Sequence, residues 1–90
     1  MFQLVYTNRF QKDIRLLHKR GYNFDILKKA IETLEKAGNL PASNKPHKLS
    51  GEYVEFMEAH LKPDWLLIWR FFPDENEIWL TRTGTHSDLF

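Results

Sequence analysis

Three of the four histidines in this 90-residue chain lie away from helical segments: His47 in a polar loop, His60 on a strand and His86 just past a strand end. These three can converge on one sheet face. Glu58, Asp64, Arg82 and Lys48 lie near them in sequence. Imidazole titrates nearest neutral pH and serves as base or acid without heavy tuning. A guanidinium fork matches phosphate oxygens. Such a set suits RNA cleavage, in which a base takes the 2′-hydroxyl proton, an acid protonates the leaving 5′-oxygen and a cation holds the phosphate charge. Each proton-transfer role contributes roughly 10²–10⁴-fold in rate. Trp65 or Phe90 can stack on a base. His18 lies on a helix among Lys and Arg and reads as a surface residue. The competing reading is idle: scattered histidines, Arg82 paired with Glu77 or Glu58, and Phe90 as a core plug. A zinc site from His47, His60, Asp64 and His86 is a weaker alternative, since no HExxH or paired-cysteine pattern supports it.

The elements that must position these groups are legible in the chain. Phe2–Tyr6 reads as a short strand. Thr7 or Asn8 caps a helix with Phe10, Ile14 and Leu17 at helical spacing, ended by Gly21. Asn23 caps a second helix, whose stripe is Leu27, Ile31 and Leu34 with Ala30 beside them, ended by Gly38. The short turn between the helices makes them antiparallel neighbours. Residues 39–51 form a polar loop containing Pro41 and Pro46. Tyr53–Leu61 alternates as a strand, Trp65–Phe72 reads as a strand covered on both faces, and Glu77–Thr83 is the last strand. The order β-α-α-β-β-β predicts an α+β domain spanning residues 1–90, a twisted and mainly antiparallel sheet with the helix pair on one face.

Composition narrows the classes. The chain has no cysteine, which excludes disulfides, thiolate metal sites and cysteine nucleophiles. No stretch approaches the roughly 18 apolar residues of a membrane span, and the N-terminus does not read as a signal peptide; the expectation is a cytoplasmic protein. Net charge is only +1, but residues 1–50 carry ten basic and four acidic side chains, whereas residues 51–90 carry three and eight. A basic half permits a polyanion to bind one surface.

Several runs together resemble the YafQ-like branch of the RelE/ParE toxin superfamily. Pro46-His47-Lys48-Leu49-Ser50-Gly51 is similar to its H-x-L-x-G segment. Glu58-Ala59-His60-Leu61-Lys62-Pro63-Asp64-Trp65-Leu66-Leu67-Ile68-Trp69 resembles its paired strands, and Arg82-Thr83-Gly84-Thr85-His86-Ser87-Asp88-Leu89-Phe90 its terminus. Phe10-x-Lys12-Asp13 also fits. The resemblance implies a RelE-like fold and a type II toxin that cuts mRNA, usually on the ribosome, without metal or cofactor. It implies neutralisation by a cognate antitoxin, and operator DNA binding only as the toxin–antitoxin complex. By position it assigns His47, His60, Asp64, Arg82, His86 and Phe90 to the active site, the first five to catalysis, with Glu58 where an acid is usual; Glu58, Phe90, the Lys48 cation and the Trp65 ring are the expected substrate contacts. Two departures stand out: Met57 where many relatives have Arg, and Trp69 where Tyr is common. Met57 keeps open a non-catalytic alternative, a module that binds antitoxin, ribosome or operator without cutting RNA.

Overall fold

The computed structural model describes residues 1–51 and 55–90. Its elements are β1 (Gln3–Tyr6), α1 (Asn8–Lys19), α2 (Phe24–Ala37), a 3₁₀ turn (Ala42–Asn44), β2 (His47–Lys48), β3 (Met57–Lys62), β4 (Trp65–Phe72), β5 (Glu77–Gly84) and α3 (His86–Leu89). The five strands form one sheet in the order β1-β5-β4-β3-β2. All neighbours are antiparallel except β1 and β5, which run parallel. The α+β class and helix pair match the sequence reading. Two short elements do not: β2 lies inside the segment read as loop, and α3 inside the segment read as a tail. Both have few residues and little apolar periodicity, so only tertiary pairing and capping define them. Tyr53 and Val54, expected to open the third strand, lie outside the described residues, and that strand begins at Met57.

Caps fix the helix ends. The Thr7 hydroxyl accepts from the Phe10 N–H at 3.1 Å and donates to the Leu80 carbonyl, tying the start of α1 to β5. Asn23 caps α2 through the Asp25 N–H. Gly38 ends α2 in the left-handed conformation, where a Cβ would also meet the Phe2 ring at 2.9 Å.

The main core lies between the helices and one sheet face. Phe10 and Leu17 of α1, Leu27, Ala30 and Leu34 of α2, and Ala59, Leu67, Trp69, Ile78 and Leu80 of the sheet are buried together. On the reverse face Leu66 and Ile68 pack with Leu89 of α3, flanked by Leu49 and Phe56. Burial on both sides explains the near-continuous apolar run of β4.

One member of the α1 stripe is a carboxylate. Asp13, 8% exposed, stands between Phe10 and Leu17 at helical spacing. β1 ends at Tyr6, opposite Leu80, so β5 runs on past its neighbour with an open edge. Asp13 fills that gap: its Oδ2 accepts from the Thr83 N–H at 3.1 Å and from Arg82 Nε at 2.8 Å, while Oδ1 accepts from Arg82 Nη2 at 3.2 Å. A second clamp joins α1 to α3. Arg20 at the end of α1 grips both Asp88 oxygens, at 2.7 and 3.0 Å. Asp88 also completes a capping box with Thr85. Gly84 is required there, because a Cβ would lie 2.9 Å from Asp88 Oδ2.

Asp13→Asn keeps the shape but strands a mostly buried guanidinium. It is expected to cost about 3 kcal/mol, read as a lowered urea midpoint with an unchanged slope. Arg20, chiefly through its hydrogen bonds, holds the Asp88 carboxyl far below its ordinary value. A depressed folded-state value means the contribution is fully present above the unfolded value of about 4 and is lost as pH falls below it. The stability gap between wild type and Arg20→Gln is therefore expected to be constant from pH 7 to 5 and to narrow progressively below pH 4. A gap independent of pH in denaturation at pH 7, 4 and 3 would contradict this.

Candidate active site

Strand register assembles the site on the face opposite the helices. His47 pairs with Glu58, Glu58 with Ile68, and Ile68 with Arg82, which makes one row across four strands. The next row is His60, Leu66 and Gly84. A bulge puts Arg82 in that row: the partners of Ile68 and Trp69 are Arg82 and Leu80, leaving Thr81 as the extra residue. Without it, simple alternation from Leu80 would turn Arg82 towards the helices.

The three histidines stand in file. The rings of His47 and His60 are 6.2 Å apart and those of His60 and His86 are 6.0 Å apart, centroid to centroid. Each outer ring has a carboxylate. His47 Nε2 lies 3.1 Å from Oε1 of Glu58, whose side chain is only 8% exposed. His47 Nδ1 lies 2.9 Å from the Lys45 carbonyl oxygen, which can only accept, so Nδ1 carries a hydrogen. Both ring nitrogens of His47 are thus engaged. His86 Nδ1 lies 2.6 Å from Asp64 Oδ1, which also accepts the His86 backbone N–H at 3.0 Å. These two bonds, the backbone one first, hold the Asp64 carboxyl below its ordinary value. Donation through Nδ1 turns Nε2 of His86 away from Asp64, and the side chain is 55% exposed. This is the orienting arrangement of a carboxylate, an imidazole and a substrate. His60 stands between them; its carbonyl accepts from the Asn44 side chain at 2.9 Å, which ties the 3₁₀ turn to β3.

The structure therefore brings together His47, Glu58, His60, Asp64 and His86. Arg82 faces the same side but is committed below the surface. Its side chain is 12% exposed, is paired with Asp13, and donates to the Asp88 carbonyl at 3.4 Å. The partner is neither Glu77 nor Glu58, because the free edge of β5 faces α1. Phe90 follows α3 and is exposed beside His86. His18 is exposed on α1 and stacks on Phe24, away from the cluster.

Two residues expected at the substrate, Trp65 and Lys48, lie off the histidine face. Trp65 is 3% exposed, its indole N–H donates to Thr83 Oγ1 and Tyr22 packs edge-on against it. It is a core residue, because its strand position faces the helices. Lys48 is in register with Met57, one residue out of step with the His47–Glu58 pair, and so shares the helix-side face with Met57. Met57 itself packs against the helix-side core. Its identity bears on packing more than on the histidine face, and Trp69 is likewise fully buried. Sequence reading missed Asp13 and Arg20 as partners of the terminal segment. The only signal was an acidic residue at an apolar-stripe position. Among the described residues, no group of three or more His, Asp or Glu side chains is placed to hold a metal ion.

Comparison with known proteins agrees with this geometry. A family model described as bacterial toxin of type II toxin-antitoxin system, YafQ, matches residues 2–90. The chain is 35% identical to the mRNA interferase toxin YafQ of Escherichia coli strain K12 over 88 residues, covering 97% of this chain and 94% of that protein. A chain of the E. coli DinJ-YafQ complex superposes with a TM-score of 0.89 at 33% identity, covering 100% of this chain and 99% of that one. A metal-bound toxin from Helicobacter pylori superposes with a TM-score of 0.90 at 37% identity over the full length of both. With a whole-length match in sequence and in fold, this chain belongs to the YafQ family of bacterial toxins of type II toxin–antitoxin systems.

Proposed function

We propose that this toxin is an endoribonuclease that cuts mRNA, on the ribosome, by histidine acid–base chemistry, and that a cognate antitoxin restrains it. The observation that carries this reading is the Asp64–His86 pair at 2.6 Å, with His60 and His47 in file behind it. The likeness to the mRNA interferase toxin of E. coli supports it, as does the complex that YafQ forms with DinJ.

The geometry divides the labour. Asp64 fixes the tautomer of His86, so Nε2 meets the scissile phosphate; the carboxylate then stabilises the imidazolium when that ring holds the transferred proton. His60 is the complementary group, giving one ring for the 2′-hydroxyl proton and one for the leaving 5′-oxygen. Which ring plays base is a property of the coupled set. His47, with both nitrogens engaged, orders this pair together with the buried Glu58 carboxylate. Arg82 supplies positive potential under the phosphate, moderated by Asp13, and Phe90 offers a ring to a flanking base. The antitoxin is an acidic partner for the basic N-terminal half, where opposite charge speeds association. Operator DNA is bound by the toxin–antitoxin complex, and the toxin acts in the cytoplasm. No helix among the described residues is long and apolar enough to cross a membrane.

Brief expression of wild type is expected to arrest growth and to create new mRNA 5′ ends, mapped by primer extension. His86→Ala is expected to remove them, with cleavage falling about 10²–10⁴-fold while the fold persists. The ends should vanish when translation is blocked. Folded wild type that yields no new ends but binds antitoxin would establish the non-catalytic reading instead. Asp64→Asn, which keeps the shape but not the charge, is expected to lower kcat about 10²-fold or more with little change in KM. A chelator selective for transition metals, which leaves the ribosome's magnesium in place, should leave cleavage intact; its loss under that chelator would contradict a mechanism built on the chain's own groups.

A further inference from the structure

A pocket of about 340 Å³ opens on the other side of the Pro63–Asp64 turn from the histidines, lined by Tyr22, Asn23, Ile26, Lys62, Asp64 and Trp65. Asp64 is shared: it is both the pocket's rim and the partner of His86. We propose that this pocket receives a nucleobase of the RNA next to the cleaved bond. The inference rests on the nuclease reading above and adds a substrate subsite to it.

The walls suit a base. Tyr22 stands edge-on against Trp65 with ring centroids 4.8 Å apart, and this holds the phenol ring in a fixed pose over an apolar floor. A rigid aromatic ring is a sequence-tolerant platform for a base splayed from a single strand. Ile26 completes the apolar side, while Asn23 and Asp64 place an amide and a carboxylate at the rim for the polar base edge.

The charges suit the backbone that leads to it. Lys62 lines the same pocket and is exposed. Its place there follows from an irregularity in β3: the partners of His60 and Lys62 are Leu66 and Trp65, so Leu61 is the extra residue and Lys62 turns to the side of Trp65. Arg20, two residues before Tyr22 in the chain, is partly exposed and grips Asp88 of α3. A strand crossing the site at His86 into the pocket therefore passes Lys62, while Arg20 stays paired with Asp88. The pocket begins where the histidine site ends, and this continuity selects RNA over other occupants.

The test uses the whole toxin with free RNA and with ribosomes programmed by the same message. A 2′-deoxy nucleotide at the cleaved position separates binding from cleavage. Single abasic positions are placed in turn on each side of the cleaved bond. Wild type is expected to bind about tenfold more weakly when one flanking base is missing. Tyr22→Ala should lose about the same factor with intact message and nothing further with the abasic one, since the two changes remove one interaction. Tyr22→Phe should bind as wild type does. Lys62→Glu, a surface change that spares the core, should weaken binding of intact and abasic messages alike and make the loss with salt shallower. Equal affinity for all abasic messages, or a folded Tyr22→Ala variant with unaltered affinity, would overturn the pocket assignment. If base-dependent binding is seen but the all-ribose message is never cut, the nuclease reading fails and the pocket stands.

Discussion

The Asp13 carboxylate holds the terminal segment, and with it half of the site, to the rest of the protein. Three donors converge on it, two from Arg82 and one from the Thr83 backbone. The backbone bond does what a neighbouring strand would do, because β1 has already ended and β5 would otherwise show an unpaired N–H. The side-chain bonds pair a guanidinium that the fold has drawn largely out of water and moderate its charge. A buried pair of this kind gives modest net stability when intact and leaves an uncompensated charge when broken. Its value here is geometric. It sets where β5 ends, and the end of β5 sets where His86 begins.

From that point each link is short. Gly84 allows Asp88 to close over the strand end, Thr85 and Asp88 cap each other, and Arg20 draws the small helix onto α1. A four-residue helix has no stability of its own, since nucleation alone is unfavourable. It exists here because Leu89 is buried against Leu66 and Ile68 and because its cap is bonded on both sides. His86 is therefore presented by an element that tertiary contacts create. Asp64 meets it from the β3–β4 turn with two bonds, one to the backbone and one to the ring. The backbone bond fixes the carboxylate independently of the ring's protonation state, so the ring can gain and lose protons while its partner stays in place.

The sequence disclosed the parts of this arrangement that are periodic or chemically distinctive. Helix stripes, caps at Thr7, Asn23 and Gly38, and the doubly covered run of β4 follow from spacing, and the histidines with their carboxylates were visible as residue types. What escaped depended on register. Lys48 and His47 are adjacent, yet in a strand neighbours point to opposite faces, so one joins the cluster and the other leaves it. Trp65 looked available to a base because it adjoins Asp64, but the shift at Leu61 and the pairing with Lys62 commit it to the helix side. Thr81 shows no sign in the sequence of being the extra residue that turns Arg82 over. A bulge is a property of two strands together, and one strand's pattern does not reveal it.

The same two irregularities explain how so small a sheet serves both faces. At Thr81 the extra residue brings a cation to the histidine side; at Leu61 it sends Lys62 to the helix side. Just past Leu61 comes the turn at Asp64, whose carboxylate holds both the ring and the backbone of His86. Regular alternation would have placed Arg82 with the helices and Lys62 with the histidines. The acidic C-terminal half would then have gathered its cations differently around Glu58 and Asp64. A phosphate in the proposed site, beside two carboxylates, would need positive charge delivered from beneath and from the side. In this fold the bulges, rather than any basic run in the local sequence, make that delivery.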